Sequence, residues 1–156
     1  MPSISTLNIP LSTSSVKVSI IDATIKMTFP VRPFFRPVVG GVEQLEAIEH
    51  ANGQKLLFDL GARVDFESNA PALVQRLKRF GITPTIEKDV AAIPSEGGMY
   101  LREISAVIWS HHHWDHSGDV SKFPSTTELV VGPGVSKLWP GYPVNQDSVV
   151  LESDYK

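Results

Sequence analysis

Ile108-Trp109-Ser110-His111-His112-His113-Trp114-Asp115-His116-Ser117-Gly118-Asp119 holds four of the chain's five histidines and decides how the rest is read. Neutral imidazole nitrogen and carboxylate oxygen are the protein ligands that suit zinc and similar ions. Along an extended segment, residues i and i+2 point the same way. His111 and His113 therefore converge on one ion, while His112 points elsewhere. A turn after Trp114 brings Asp115 and His116 back to the same place. Those two are adjacent in sequence, so they more naturally serve a second ion beside the first. Two neighbouring ions clamp a hydroxide between them and polarise a carbonyl. Gly118 permits a tight backbone path next to the site. The Asp inside the spacing sets this cluster apart from a chance His-rich surface loop.

Upstream, Leu101 to Ile104 leads into Ala106-Val107-Ile108-Trp109, a continuous apolar run suited to a buried strand. Pro71 marks a helix start. Leu73, Val74, Leu77 and Phe80 repeat at helical spacing, and Gly81 stops the helix. Ile82 to Glu87 is extended, and Val90 to Ile93 is too short to assign. Gln54 to Leu60 is a strand closed by Gly61. Asn52-Gly53 before it signals a hairpin of type I′, whose two central residues need positive φ. The hairpin in turn makes a strand of Leu45 to His50, where Glu43, Glu46 and Glu49 would also fit a helical face. Val16 to Ile21 alternates as a strand, and Ile25 to Phe29 extends or partners it. Phe29 to Pro37 is a proline-rich extended loop. Leu129-Val130-Val131 is a further short strand, and the chain is loop-like from Trp139 onward. This order of elements is an α/β pattern with a mixed sheet. The histidines leave a buried strand where open α/β sheets bind ligands.

The bulk properties agree. With 156 residues, 42% apolar and 20% charged, the chain fits one globular domain. The net charge of -3 and the lack of a basic cluster argue against a nucleic-acid partner. Without cysteine, thiolate ligands, a Cys nucleophile and disulfides are excluded. No apolar stretch is long enough to span a bilayer, and Met1 to Ser15 does not read as a secretory signal. A soluble, cytoplasmic protein with no membrane partner is the default expectation.

The quoted stretch resembles the His-x-His-x-Asp-His signature of the metallo-β-lactamase superfamily. Phe58-Asp59-Leu60-Gly61 is similar to the strand-end Asp-x-Gly that precedes it there. Leu129 to Gly134 and Pro140-Gly141-Tyr142-Pro143 resemble fungal lactonase- or lactamase-like members. The resemblance implies an α/β/β/α sandwich of two similar halves, with residues 1–156 supplying about the N-terminal one. It implies His111 and His113 in a first zinc site and Asp115 and His116 in a second. Asp115 would also orient the attacking water or act as base. Asp59 would be a buried carboxylate that orients the ligands. The implied reaction is attack of a metal-activated hydroxide on a lactone, lactam or thioester carbonyl of a small-molecule substrate.

The family completes its site with ligands downstream of the signature, and no histidine follows His116. Two further readings therefore stand beside the hydrolase. One is a domain truncated at its C-terminus, a non-catalytic remnant with an incomplete site. The other is an iron-dependent dioxygenase. A half-domain would also expose a sheet face open to self-association. Trp114 is expected to pack under the loop, Asp119 to assist a helix start, and His50 to belong to the hairpin. Arg32, Phe34, Phe35 and Arg36 read as an ordinary loop or as a lip over the metals. Asp22 and Asp65 read as turn residues.

Overall fold

The structure, a computed structural model, describes residues 12–28 and 44–154. The proline-rich loop with Arg32, Phe34, Phe35 and Arg36 lies outside them. Five strands form one mixed sheet: β1 (Val16–Asp22), β3 (Gln44–His50), β4 (Lys55–Phe58), β6 (Ile104–Ile108) and β7 (Glu128–Val130). They lie in the order β1-β3-β4-β6-β7. The first three strands pair antiparallel, whereas β4, β6 and β7 run parallel. This is the expected mixed α/β architecture.

Two expectations need correction. The segment Ile25–Thr28 (β2) is a strand, yet it neither extends nor partners β1. It pairs antiparallel with β5 (Thr83–Ile86) in a separate two-stranded sheet. The cause is local: Thr24 adopts φ 52, and its N–H bonds the Asp22 carboxylate at 2.8 Å, turning the chain out of the main sheet. The Asn52-Gly53 hairpin is not of type I′ either. Only Gly53 has positive φ, at 90°. Its N–H donates to the His50 carbonyl at 2.9 Å, and the His50 N–H donates to the Gln54 carbonyl at 2.8 Å. That is a three-residue loop closed by a glycine bulge, the next most common hairpin solution. The Asn52 N–H lies 3.2 Å from His50 Nδ1, so His50 is a hairpin residue as expected.

Helix α1 (Pro71–Arg79) opens on proline and ends at Gly81, φ 70. There the N–H groups of Ile82 and Gly81 return to the carbonyls of Leu77 and Lys78, each at 3.0 Å. These bonds satisfy carbonyls that a helix end otherwise orphans. Its inner face, Val74 and Leu77, packs with Ala62, Phe66, Ile82 and Trp114 in one buried cluster. A second cluster lies on the main sheet around Leu57, Val107, Leu60, Trp109, Val120 and Phe123. Strand β6 is buried as its apolar run requires. A short helix, α2 (Ala92–Glu96), fills the unassigned stretch, and α3 (Trp114–Ser117) is the turn expected after the histidines. On the edge strand β1, Val16, Val18 and Ile20 are 50–64% exposed.

Two joints fix the loops at the sheet's upper edge. The first is a backbone seam. Leu60 N–H donates to the His116 carbonyl at 2.8 Å and Gly118 N–H to the Gly61 carbonyl at 2.9 Å. Gly118 has φ 50 and ψ -139, and a Cβ there would meet Leu60 Cβ at 2.4 Å. The second joint is ionic. Arg63, 9% exposed, contacts Asp119 Oδ2 at 3.0 Å and Asp154 Oδ1 at 3.8 Å. It thereby ties the chain's last described turn to the loop after the histidines.

Both joints generate predictions. Gly118→Ala combines forbidden backbone with overpacking, so it should cost at least about 2 kcal/mol in urea unfolding. An unchanged midpoint would show that the seam is not as tight as described. In Asp154, burial pushes the carboxyl up to about 6 from 3.8; Leu151 N–H and Arg63 oppose this and Asp119 adds to it. The folded state thus holds the proton more tightly than the unfolded chain. The Asp154 contribution to stability therefore falls as pH rises from about 4 through about 6, by up to roughly 3 kcal/mol. Asp154→Asn lacks this loss, so its advantage over the parent should be largest above pH 6 and shrink toward pH 4. A stability difference that is flat across this window would contradict the assignment.

Candidate metal centre

Strands β4 and β6 are parallel neighbours, so their C-terminal ends share one sheet edge. Phe58 is paired with Ile108, and the Asp59 N–H donates to the Ile108 carbonyl at 2.8 Å. This brings Asp59 against Ser110, 51 positions away in sequence. The strand expected to reach Leu60 stops at Phe58, because Asp59 turns to φ 60. A non-glycine residue held in that region costs on the order of 1–3 kcal/mol.

The Asp59 side chain, 5% exposed, compensates by gathering three donors. Ser110 N–H donates to Oδ1 at 2.7 Å and Ser110 O–H to Oδ2 at 2.7 Å. His116 Nδ1 lies 2.8 Å from Oδ2. A carboxylate only accepts, so the proton of that contact sits on Nδ1 of His116. The Nε2 of a neutral His116 is then left with a free lone pair. Bonds to a charged acceptor contribute about 1.5–3 kcal/mol each, enough to hold the turn.

His111, His113 and His116 come together. The His111 ring lies 4.5 Å from that of His113 and 4.1 Å from that of His116, centroid to centroid. His111 is therefore the middle of the cluster, with a closer neighbour in His116 than in His113. His112 contacts the outer side of His113 at 5.4 Å. Burial lowers the His111 pKa, and the charges of His116 and His113 lower it further against Asp115 and Asp59. Burial likewise lowers that of His112, with His113 adding to it. Both shifts favour the neutral imidazole.

Asp115 interacts electrostatically with His111 from α3, whose N-terminal residue Trp114 anchors it. Trp114 is buried edge-on against Phe66, ring centroids 5.4 Å apart, and so packs under the loop as expected. Asp115 Oδ1 is buried without a hydrogen-bond partner. Such an atom costs about 1–3 kcal/mol unless something satisfies it. Asp119 accepts from Ser121 N–H at 3.1 Å, starting the next turn as its residue type suggested. As the side chains stand, no three His, Asp or Glu among the described residues are placed to share one ion. The donor set itself fits a divalent metal: clustered imidazoles, one oriented by a carboxylate, and an orphaned carboxylate oxygen.

Sequence reasoning passed over Ser110 and Arg63. A serine at a strand end carries no pattern of its own. Its signal lies in pairing β4 parallel to β6, which sets it opposite Asp59. Arg63 could be singled out only by knowing that Asp119 and Asp154 converge on it.

Comparison with known proteins bears on the same residues. The model of the metallo-beta-lactamase superfamily matches residues 47–138, from β3 through the histidines to the turn after β7. "Metallo-hydrolase mfmC" of Annulohypoxylon moriforme is 42% identical over 159 residues, which is 95% of this chain and 42% of that protein. "Gamma-lactamase FDB1" of Fusarium pseudograminearum is 40% identical over 161 residues, 95% of this chain and 39% of that protein. The chain thus spans about two fifths of the length of the curated relatives it matches. Among solved structures, AiiA of B. thuringiensis with N-decanoyl-L-homoserine at its active site aligns with TM-score 0.54. That match is 20% identical and covers 71% of this chain and 46% of the other, a likeness of fold. The chain belongs to the metallo-beta-lactamase superfamily.

Proposed function

We propose that His111, His113, Asp115 and His116 are metal ligands and that this chain carries part of the active site of a zinc-dependent hydrolase. The observation that carries the reading is the orphaned Asp115 oxygen beside a cluster of three imidazoles. A buried polar atom with no partner asks for one, and a cation is the partner that imidazoles and a carboxylate share. Zinc suits these ligands, and thiolate alternatives are absent because the chain has no cysteine.

A divalent ion held there supplies Lewis acidity toward a carbonyl and brings the pKa of a water near neutrality. The chain's own residues do the rest. Asp59 takes the Nδ1 proton of His116 as a hydrogen bond and so fixes which nitrogen faces the ligand position. Trp114 anchors the helix that presents Asp115. The Asp115 carboxyl group is of the type that accepts a proton from an attacking water. The relatives' names, a metallo-hydrolase and a gamma-lactamase, support hydrolysis of a small-molecule substrate such as a lactam, and a lactone or thioester would present the same acyl carbon. Four ligand residues are fewer than two zinc ions ask for, so metal binding by these 156 residues is expected to be weak.

Equilibrium dialysis of the purified chain against zinc should find bound metal. His111→Ala, His113→Ala and Asp115→Asn should each weaken binding at least ~10-fold, while His112→Ala should leave it within about twofold. Equal binding by all five proteins, or none by the parent, would overturn the ligand assignment. Bound iron in place of zinc, with oxygen uptake, would overturn the hydrolase reading.

A further inference from the structure

Ser110 sits between the carboxylate and a second histidine. Its hydroxyl lies 2.7 Å from Asp59 Oδ2, 3.0 Å from His111 Nδ1 and, at the limit of a hydrogen bond, 3.5 Å from His116 Nδ1. A hydroxyl has one proton, so it donates to only one of these neighbours. The carboxylate is the stronger acceptor, and 2.7 Å is the length of a charge-assisted O–H···O⁻ bond. Ser110 N–H on the other carboxylate oxygen holds the hydroxyl in that direction. With its proton directed at Asp59, the Ser110 oxygen faces His111 as an acceptor. His111 must then carry its own proton on Nδ1, leaving Nε2 with the free lone pair.

We infer that Ser110 is a positioning residue that relays the Asp59 carboxylate to His111, so that one buried carboxylate sets the tautomer of two histidines. It acts on His116 directly and on His111 through the Ser110 hydroxyl. The inference deepens the metal-site reading and rests on it only for its consequence, which is that both rings present Nε2 to the ion. The relay itself is a property of the metal-free chain. Ser110 is exposed, so replacing its hydroxyl opens no cavity in the core; the variant loses one bond to Asp59 and is compared with the parent in its folded state.

The test is long-range ¹H–¹⁵N correlation of the imidazole nitrogens in the whole metal-free chain, at about pH 8 where histidines are neutral. The parent should show His111 and His116 both protonated on Nδ1. In Ser110→Ala, His111 should move toward the Nε2-protonated form that free imidazole prefers, while His116 keeps Nδ1 through Asp59. Ser110→Thr, which restores a hydroxyl, should restore the parent pattern. Zinc dialysis on the same proteins should show affinity lowered about 3- to 10-fold in Ser110→Ala and recovered in Ser110→Thr. An unchanged His111 tautomer in Ser110→Ala overturns the relay, even if zinc binds. A simultaneous change at His116 also overturns it, since that would report general loosening of the loop. If the tautomers behave as stated but the parent binds no zinc, the relay stands and the metal-site reading fails.

Discussion

The contact between the Asp59 carboxylate and the loop after β6 is the constraint on which the site depends. Asp59 ends its strand in a backbone conformation that disfavours a side chain, and its oxygens then collect donors from Ser110 and His116. Strain and hydrogen bonding therefore belong together. The turn aims the carboxylate across to the neighbouring strand, and the bonds made there hold the turn. Both strands must run parallel and end level for this to happen, which is what the pairing of Phe58 with Ile108 provides. The histidines are held at the sheet edge by that pairing and by the seam from Leu60 and Gly61 to His116 and Gly118.

The surroundings hold this edge in place. Trp114 is buried among Phe66, Val74 and Leu77 under α1, so the helix carrying Asp115 and His116 is anchored in a core. Trp109 stacks on Trp139 at 6.4 Å, bringing the downstream loop against the base of the site. Arg63 draws Asp119 and Asp154 together from opposite ends of that region. Burial pushes the Asp154 carboxyl up to about 6, and the shared guanidinium offsets this only in part. Stability and site geometry are thus coupled through the same short stretch of backbone.

Much of this was legible in the sequence, and for identifiable reasons. The apolar run before the histidines, the 3.6-residue spacing of Val74 and Leu77, and the proline and glycine at the ends of α1 are local signals, and the structure follows them. The grouping of His111, His113 and His116 was legible in their spacing. What escaped were outcomes decided by distant partners or by small differences in turn geometry. Asn52-Gly53 suits two kinds of hairpin, and the register of β3 against β4 chooses between them. β2 is only four residues long, and its partner lies beyond α1. Ser110 acquires its role only once the parallel pairing sets it against Asp59.

On the proposed reading, a single buried carboxylate, Asp59, prepares the histidines for a metal. Asp59→Asn tests it most directly, because asparagine tolerates the same positive φ and so keeps the backbone turn. The zinc dissociation constant of the purified variant, measured below its lowered thermal midpoint, should rise about 10- to 100-fold over the parent. A dissociation constant equal to the parent's, measured on a folded variant, would contradict the claim.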